Sequence, residues 1–407
     1  GVPPFFEPGL EERLREVVRS RRLRSTTNVH EAVMSSDVTF VTVGTPSRRD
    51  GSIDLQFIER SAEEVGRALA AKDGYHLVVV KSTVIPGTTG NIVKPIVERF
   101  SGKRCGPDFG LCMSPEFLRE GSAVEDTLKP DRVVIGEFDR RSGDTLKKLF
   151  NEFYGGDIPI LRTNLATAEM TKYANNSFLA TKISFINSIA NICDKVPGTD
   201  VEVVAKAIGM DHRINPRFLR AGLGWGGSCF PKDVKALLSF SRSLSYEAPI
   251  LWAALEVNDA QPLQAVGLAR RKLGSLKGRR VAVLGLAFKP DTDDIRESRA
   301  TVLIDALLQE GARVIAYDPK ALDASRNFLG KGIEYAESAE SCLKGAECCI
   351  VATEWREFEK LQPEDFVSLM KKPVVIDGRR VFNPGDFGGK VDFAAIGLGE
   401  APALEKD

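Results

Sequence analysis

An α/β fold is predicted: two doubly wound, largely parallel sheet domains joined by a central helical region with a long connecting helix. Three observations carry this. Short β-rich apolar runs alternate with helical stretches through residues 1–163, the pattern becomes helical over 164–275, and the alternation restarts over 276–407. Buried strands separated by helices imply a parallel sheet covered on both faces. With 407 residues there is length for two or three domains and a sizeable core.

The first domain opens its strands with Val38-Thr39-Phe40-Val41-Thr42-Val43, which runs into Gly44-Thr45-Pro46. Leu77-Val78-Val79-Val80 follows and ends in Lys81-Ser82-Thr83, with a helical pattern over about 88–100. Asp131-Arg132-Val133-Val134-Ile135 ends at Gly136. Ligands of open α/β sheets bind beyond the carboxyl ends of strands, so Gly44-Thr45-Pro46 and Ser82-Thr83 are candidate ligand loops, although ordinary turn chemistry accounts for each loop equally well.

Residues 167–195 are nearly free of Pro and Gly and carry a broad apolar face. Lys172 and Asn176 are four apart, so both polar groups lie on one side of that helix, as a solvated face or a functional pair. A second long helix is expected from Pro249 to Leu273.

Between these helices stands Gly224-Trp225-Gly226-Gly227-Ser228-Cys229-Phe230-Pro231-Lys232-Asp233. The glycines would let backbone come close to a ligand. Pro231 suits the first turn of a helix, which places Cys229 just ahead of a helix N-terminus, where N–H groups and the dipole favour thiolate. Asp233 follows one turn on. Cys229 is either a nucleophile with a carboxylate in reach or a structural cysteine in a tight turn.

The last third reads as a βαβ unit: a strand at 280–284, the loop Gly285-Leu286-Ala287-Phe288-Lys289-Pro290, a helix over 298–309, and a strand at 312–318 ending in Asp318. Its loop has no G-x-G-x-x-G and carries Lys289 and Arg296, which suits a phosphate, or else a structural domain with charged loops. Runs at 350–353 and 374–377 supply later strands.

Composition narrows the classes. Lys plus Arg and Asp plus Glu are both 56, so nothing draws the chain in bulk toward nucleic acid or anionic membrane. No apolar run is long enough to span a bilayer, and Glu7, Glu11 and Glu12 stand where a signal peptide would be apolar. Seven irregularly spaced cysteines point to a reduced, cytoplasmic protein, with Cys348-Cys349 as core and Cys105 and Cys112 as core or loop. Only three histidines occur, with no close pair, so no metal site is expected.

Six ordered motifs now resemble one family. They are Val43-Gly44-Thr45-Pro46; Lys81-Ser82-Thr83-Val84; Ser114-Pro115-Glu116-Phe117-Leu118-Arg119-Glu120-Gly121; Lys172-Tyr173-Ala174-Asn175-Asn176-Ser177-Phe178-Leu179-Ala180; Gly226-Gly227-Ser228-Cys229-Phe230-Pro231-Lys232-Asp233; and the stretch from Gly285 to Ser298. Together they resemble the UDP-glucose/GDP-mannose dehydrogenase family along almost the whole chain.

The resemblance implies two Rossmann-like domains, an NAD-binding one over 1–163 and a UDP-sugar-binding one over 276–407. The helical region 164–275 would dimerise the chain into a homodimer. The implied reaction oxidises the C6 alcohol of UDP-glucose twice, with NAD, to UDP-glucuronate. The implied alternatives are GDP-mannose or another UDP-hexose as substrate, or an inactive nucleotide-sugar-binding protein.

By the same resemblance Cys229 is the nucleophile, Lys172 and Asn176 hold an oxyanion, and Asp233 orders water. Glu116 is the candidate base, and Thr83 and Glu120 hold a water near the nicotinamide. Val43, Gly44, Thr45, Pro46, Thr83, Glu120 and Arg296 would meet the cofactor. Glu116, Phe117, Leu118, Lys172, Asn176, Arg213, Phe218, Leu219, Arg220, Gly226, Phe288 and Lys289 would meet substrate, with Arg379 resembling an arginine donated across the dimer interface. Trp225 replaces a more usual Phe, a change expected to alter sugar fit.

One departure is large. The family opens with a strand, a G-x-G-x-x-G turn and an acid, and the residues ahead of 38 show none of these. The expectation is that a βαβ unit and its flanks, roughly forty to fifty residues, precedes residue 1.

Overall fold

A computed structural model describes residues 1–400. The chain packs as two compact units, residues 1–176 with 232–247, and residues 177–231 with 248 onward.

The first unit is built on β1 (Val38–Val41), β2 (His76–Val80), β3 (Phe109–Met113), β4 (Val133–Glu137) and β5 (Ile160–Asn164), in that spatial order. β1–β2, β2–β3 and β4–β5 are parallel, whereas β3 and β4 pair antiparallel, Cys112 opposite Glu137 and Met113 opposite Gly136. An all-parallel sheet does not form here because the segment joining β3 to β4 holds only the short helix Ala123–Leu128. It is no crossover, so β4 sets out from the end at which β3 stops. The predicted helix after β2 starts as a π-helical segment, Thr89–Val93, and becomes α-helical over Lys94–Ser101.

The second unit contains β6 (Arg280–Leu284), β7 (Arg313–Tyr317), β8 (Glu334–Tyr335), β9 (Cys348–Val351), β10 (Val374–Asp377) and β11 (Asp392–Ala395). They lie in the order β11-β10-β9-β6-β7-β8, all parallel. The order reverses between β6 and β9, so the loops after those strands flank the crevice where such sheets bind ligands. The helix Arg299–Gln309 is capped by Ser298, whose side chain accepts from the Ala300 N–H.

Asp318, after β7, is completely buried and accepts five hydrogen bonds: from the N–H groups of Leu286 (2.7 Å), Ala287 (2.9 Å), Lys320 (2.8 Å) and Ala321 (2.8 Å), and from Trp355 Nε1 (3.1 Å). It thereby pins the loop that carries Phe288 and Lys289.

The long helices span Leu165–Cys193 and Pro249–Leu273, the second at its expected bounds. Six cysteines are buried thiols. Burial pushes Cys105 and Cys342 up to about 12, and Cys112, Cys348 and Cys349 upward as well. Among the described residues no helix is long and apolar enough to cross a membrane.

Candidate active site

In the first unit the carboxyl ends of β1 and β2 are laced together. Ser82 Oγ donates to Val43 O (2.6 Å), and Thr45 Oγ1 donates to Thr83 O (2.9 Å). Gly44 and Pro46 are exposed, and nothing lies within 4 Å of where a Cβ on Gly44 would stand, so backbone is open to a ligand there. Thr83 and Glu120 are both half-buried.

The loop after β3 brings Glu116 to the Leu165–Cys193 helix. Lys172 Nζ lies 2.7 Å from Glu116 Oε1, and Glu116 Oε2 accepts the Leu118 N–H at 2.8 Å. The Phe117 ring sits under the Arg132 guanidinium (3.9 Å) and near Lys172 Nζ (5.6 Å), while Leu118 is exposed. One helical turn beyond Lys172, Asn176 Nδ2 donates to Asp233 Oδ2 at 2.6 Å, and Lys232 Nζ is 2.6 Å from Asp233 Oδ1. Lys172, Asn176 and Asp233 are all buried. The expected i, i+4 pair is thus a functional-looking row, each member held by a carboxylate, and not a solvated face.

Two charged residues of this unit were not singled out from sequence. Lys81, beside Glu116 and Lys172, is pulled below the usual lysine value by burial. Glu169, wholly buried, accepts the N–H groups of Gly87 (2.6 Å) and Thr89 (2.7 Å), and burial raises its carboxyl. Their signal was position alone: Lys81 sits in the Ser82-Thr83 motif, and Glu169 one turn before Lys172.

In the second unit Cys229 is exposed and immediately precedes the helix Phe230–Ser243. The residues before it are closely packed by their own chain. Gly222-Leu223-Gly224-Trp225-Gly226-Gly227 spells G-x-G-x-x-G, but no strand precedes it, and protein fills the space beside its glycines. A Cβ would meet Asn258 Oδ1 at Gly224, Glu297 O at Gly226, and the Phe288 ring, at 2.7 Å, at Gly227. These glycines let the chain approach itself.

Trp225 is packed inward. Its indole is 4% exposed and donates from Nε1 to Ser184 Oγ (3.0 Å), so it anchors the loop from within. Leu219 is buried in the core, whereas Phe218, at φ 65°, packs 6.3 Å from the Phe230 ring. Arg220 Nη2 donates to Arg380 O (3.3 Å). Arg213 and Arg296 are exposed, each folded onto the aspartate two residues before it, Asp211 and Asp294. Lys289 Nζ lies 5.5 Å from the Phe288 ring centre. Arg379 is engaged within its own chain, from Nε to Ala352 O (2.8 Å) and from Nη1 to Gly224 O (2.9 Å), with burial lowering its pKa.

Residues 1–154, 166–260 and 282–384 match, in turn, the NAD binding, central and UDP binding domains of the UDP-glucose/GDP-mannose dehydrogenase family. The chain belongs to that family. It is an NAD-dependent oxidoreductase.

Relatives agree. A UDP-glucose 6-dehydrogenase of Haloferax volcanii is 49% identical over 94% of this chain and 87% of its own length. One of Bacillus subtilis is 42% identical over 94% of this chain and 81% of its own. The solved structure of a UDP-glucose dehydrogenase from Pyrobaculum islandicum matches with a TM-score of 0.89 at 44% identity, covering 98% of this chain and 88% of that one.

The family's cofactor fits the residues described. The laced loops after β1 and β2 and the open face at Gly44 present backbone to a ligand. A glycine-rich pyrophosphate turn is not among the residues ahead of β1.

Proposed function

We propose that this dehydrogenase oxidises the C6 alcohol of UDP-glucose in two steps to the carboxylate of UDP-glucuronate, with Cys229 as covalent nucleophile. The observation that carries the reading is that Cys229 alone of the seven cysteines is exposed, and it stands at the start of a helix. The names of the relatives above support UDP-glucose as substrate.

NAD, when bound, supplies the hydride acceptor at both oxidations. Val43, Gly44, Thr45, Pro46, Thr83, Glu120 and Arg296 would hold it. Cys229 Sγ adds to the C6 aldehyde carbon, and the carbonyl electron pair becomes an oxyanion met by donors of Lys172 and Asn176. Once that thiohemiacetal has been oxidised, C6 is a thioester to Cys229. Glu116 takes a proton from water as the water adds to C6. The C–S bond then breaks, the second proton of the water passes from the C6 carboxyl group to the departing Cys229 sulfur, and C6 leaves as a carboxylate.

Phe117, Leu118, Arg213, Phe218, Leu219, Arg220, Gly226, Phe288, Lys289 and Arg379 make up the substrate contacts of this reading. Residues 1–163 serve the cofactor, 164–275 dimerisation, and 276–407 the UDP-sugar.

The test is stoichiometry together with Cys229→Ser. Two NADH should form for each UDP-glucose consumed, and Cys229→Ser should lose steady turnover. One NADH with free aldehyde accumulating, or a serine variant that turns over normally, removes Cys229 from the mechanism.

A homodimer is part of the same reading. Phe178, Phe185 and Ile192, seven apart on the Leu165–Cys193 helix, are 65%, 52% and 57% exposed, an apolar stripe suited to a second copy. Phe185→Glu should halve the mass seen by sedimentation, and an unchanged mass rejects this face as the interface. The buried thiols suit a cytoplasmic location.

A further inference from the structure

The segment leading to Cys229 is gripped from outside. Asn187 Oδ1 accepts the Gly222 N–H (2.8 Å), Arg379 Nη1 donates to Gly224 O (2.9 Å), and Trp225 Nε1 donates to Ser184 Oγ, which donates on to Ala254 O (2.7 Å). Asn258, on the Pro249–Leu273 helix, makes two bonds to one residue: Oδ1 accepts the Trp225 N–H (2.7 Å) and Nδ2 donates to Trp225 O (3.0 Å). A side-chain amide offers one donor face and one acceptor, so it can pair with a residue's N–H and C=O as a neighbouring strand would.

Asn258 is completely buried, so the Trp225 groups it satisfies have no solvent to turn to. Gly224, at φ 103°, is matched to it, since a Cβ there would collide with Asn258 Oδ1. Beyond Trp225 the chain runs Gly226-Gly227-Ser228 before reaching Cys229. Two consecutive glycines have much conformational freedom to lose, so the place of the cysteine depends on how its two flanks are held. On the far side, Gly227 N–H donates to Arg296 O at 3.0 Å and the helix Phe230–Ser243 begins at once. On the near side the Trp225 backbone is held by Asn258.

We propose that Asn258 is a positioning residue for the nucleophile: by clasping the Trp225 backbone it fixes the segment that sets Cys229 at the first turn of the Phe230–Ser243 helix. The proposal rests on the reading of Cys229 as nucleophile. Asn258 acts through Trp225 and touches no reacting atom.

The test uses the exposure of Cys229 against six buried thiols, which makes iodoacetamide alkylation selective for it. The plateau rate of alkylation against pH reads access, and the midpoint reads how well the helix N-terminus holds the thiolate. Asn258→Leu keeps the volume and removes both bonds. In it, amide exchange of a peptide spanning 222–229 should rise at least about tenfold while peptides of the Pro249–Leu273 helix stay protected. The alkylation midpoint should move up by about half a pH unit.

Ser184→Ala, which leaves the clasp in place, should move both readouts less. A folded Asn258→Leu protein with wild-type exchange and midpoint overturns the proposal. Where Asn258→Leu does not fold, Asn258→Asp takes its place: it has the same shape, keeps the acceptor for the Trp225 N–H and deprives Trp225 O of its donor. The same two readouts then decide in the same way. Failure of the functional reading looks different: Cys229→Ser enzyme would turn over like wild type whatever the Asn258 variants do.

Discussion

The Lys172 ammonium and the Glu116 carboxylate stand 2.7 Å apart, joining the Leu165–Cys193 helix to the loop after β3. In the proposed reaction the first holds an oxyanion and the second activates water, so their variants should fail at different stages. Lys172→Ala should lower kcat by about 10²–10³ with no adduct accumulating. Glu116→Gln should show a burst of NADH and then stall, with kcat down by about 10²–10⁴ and substrate mass retained on the protein. Stopped-flow absorbance and intact-mass spectrometry read both. A Glu116→Gln enzyme that slows without holding an adduct would show that Glu116 is not the base for hydrolysis.

Asp233 is 1% exposed and takes one bond from Asn176 and one ion pair from Lys232. Asp233→Ala leaves both partners without it and should destabilise the protein by about 3 kcal/mol, seen in urea unfolding, apart from any effect on turnover. A loss below about 1 kcal/mol would mean that the pair contributes chemistry and little stability.

His76 is buried between Lys72 Nζ (3.1 Å from Nδ1) and Thr39 Oγ1 (2.8 Å from Nε2). Burial first, and the Lys72 charge second, lower its pKa from 6.5 to about 4, with Lys103 adding to the fall and Asp37 opposing it. The folded value lies below the unfolded one, so the unfolded chain binds the proton first. This contribution to stability is complete above pH 6.5 and is lost as pH falls toward about 4. Wild type should therefore lose more Tm across that window than His76→Gln. Parallel curves would show that His76 does not titrate on unfolding.

Lys289 lies on the loop pinned by Asp318 and would face the diphosphate of the substrate. Lys289→Ala should raise KM for UDP-glucose roughly tenfold, with kcat changed less and NAD affinity intact. Separate calorimetric titrations decide it. Loss of NAD affinity with UDP-glucose affinity preserved would exchange the two ligand assignments.

Much of the fold was legible because its strands announce themselves: 38–43, 77–80 and 280–284 are β-branched runs ending in loops. β3 was not foreseen, since Phe-Gly-Leu-Cys-Met carries no β-branched residue. Nor was β5, an edge strand exposed at two of its five positions. The antiparallel β3–β4 pair depends on the connection and leaves no local pattern. Motifs named Cys229, Lys172, Asn176 and Asp233, and the i, i+4 spacing told which two share a helix face. What stayed hidden was what fills the glycine loop. Asn258 and Arg379 lie 33 and 155 residues from the groups they bind, and no periodicity links positions so far apart.

The five donors gathered on Asp318 bear on what the second unit can recognise. In a dinucleotide-binding βαβ unit the acid near the end of the second strand is kept for a ribose diol. Here that carboxylate is saturated by its own chain before any ligand arrives. A nucleotide approaching the ends of β6 and β7 therefore finds that acid already engaged, although the strands run in the familiar order. The way a ribose is met can be changed by filling one acceptor from inside, with no change of winding.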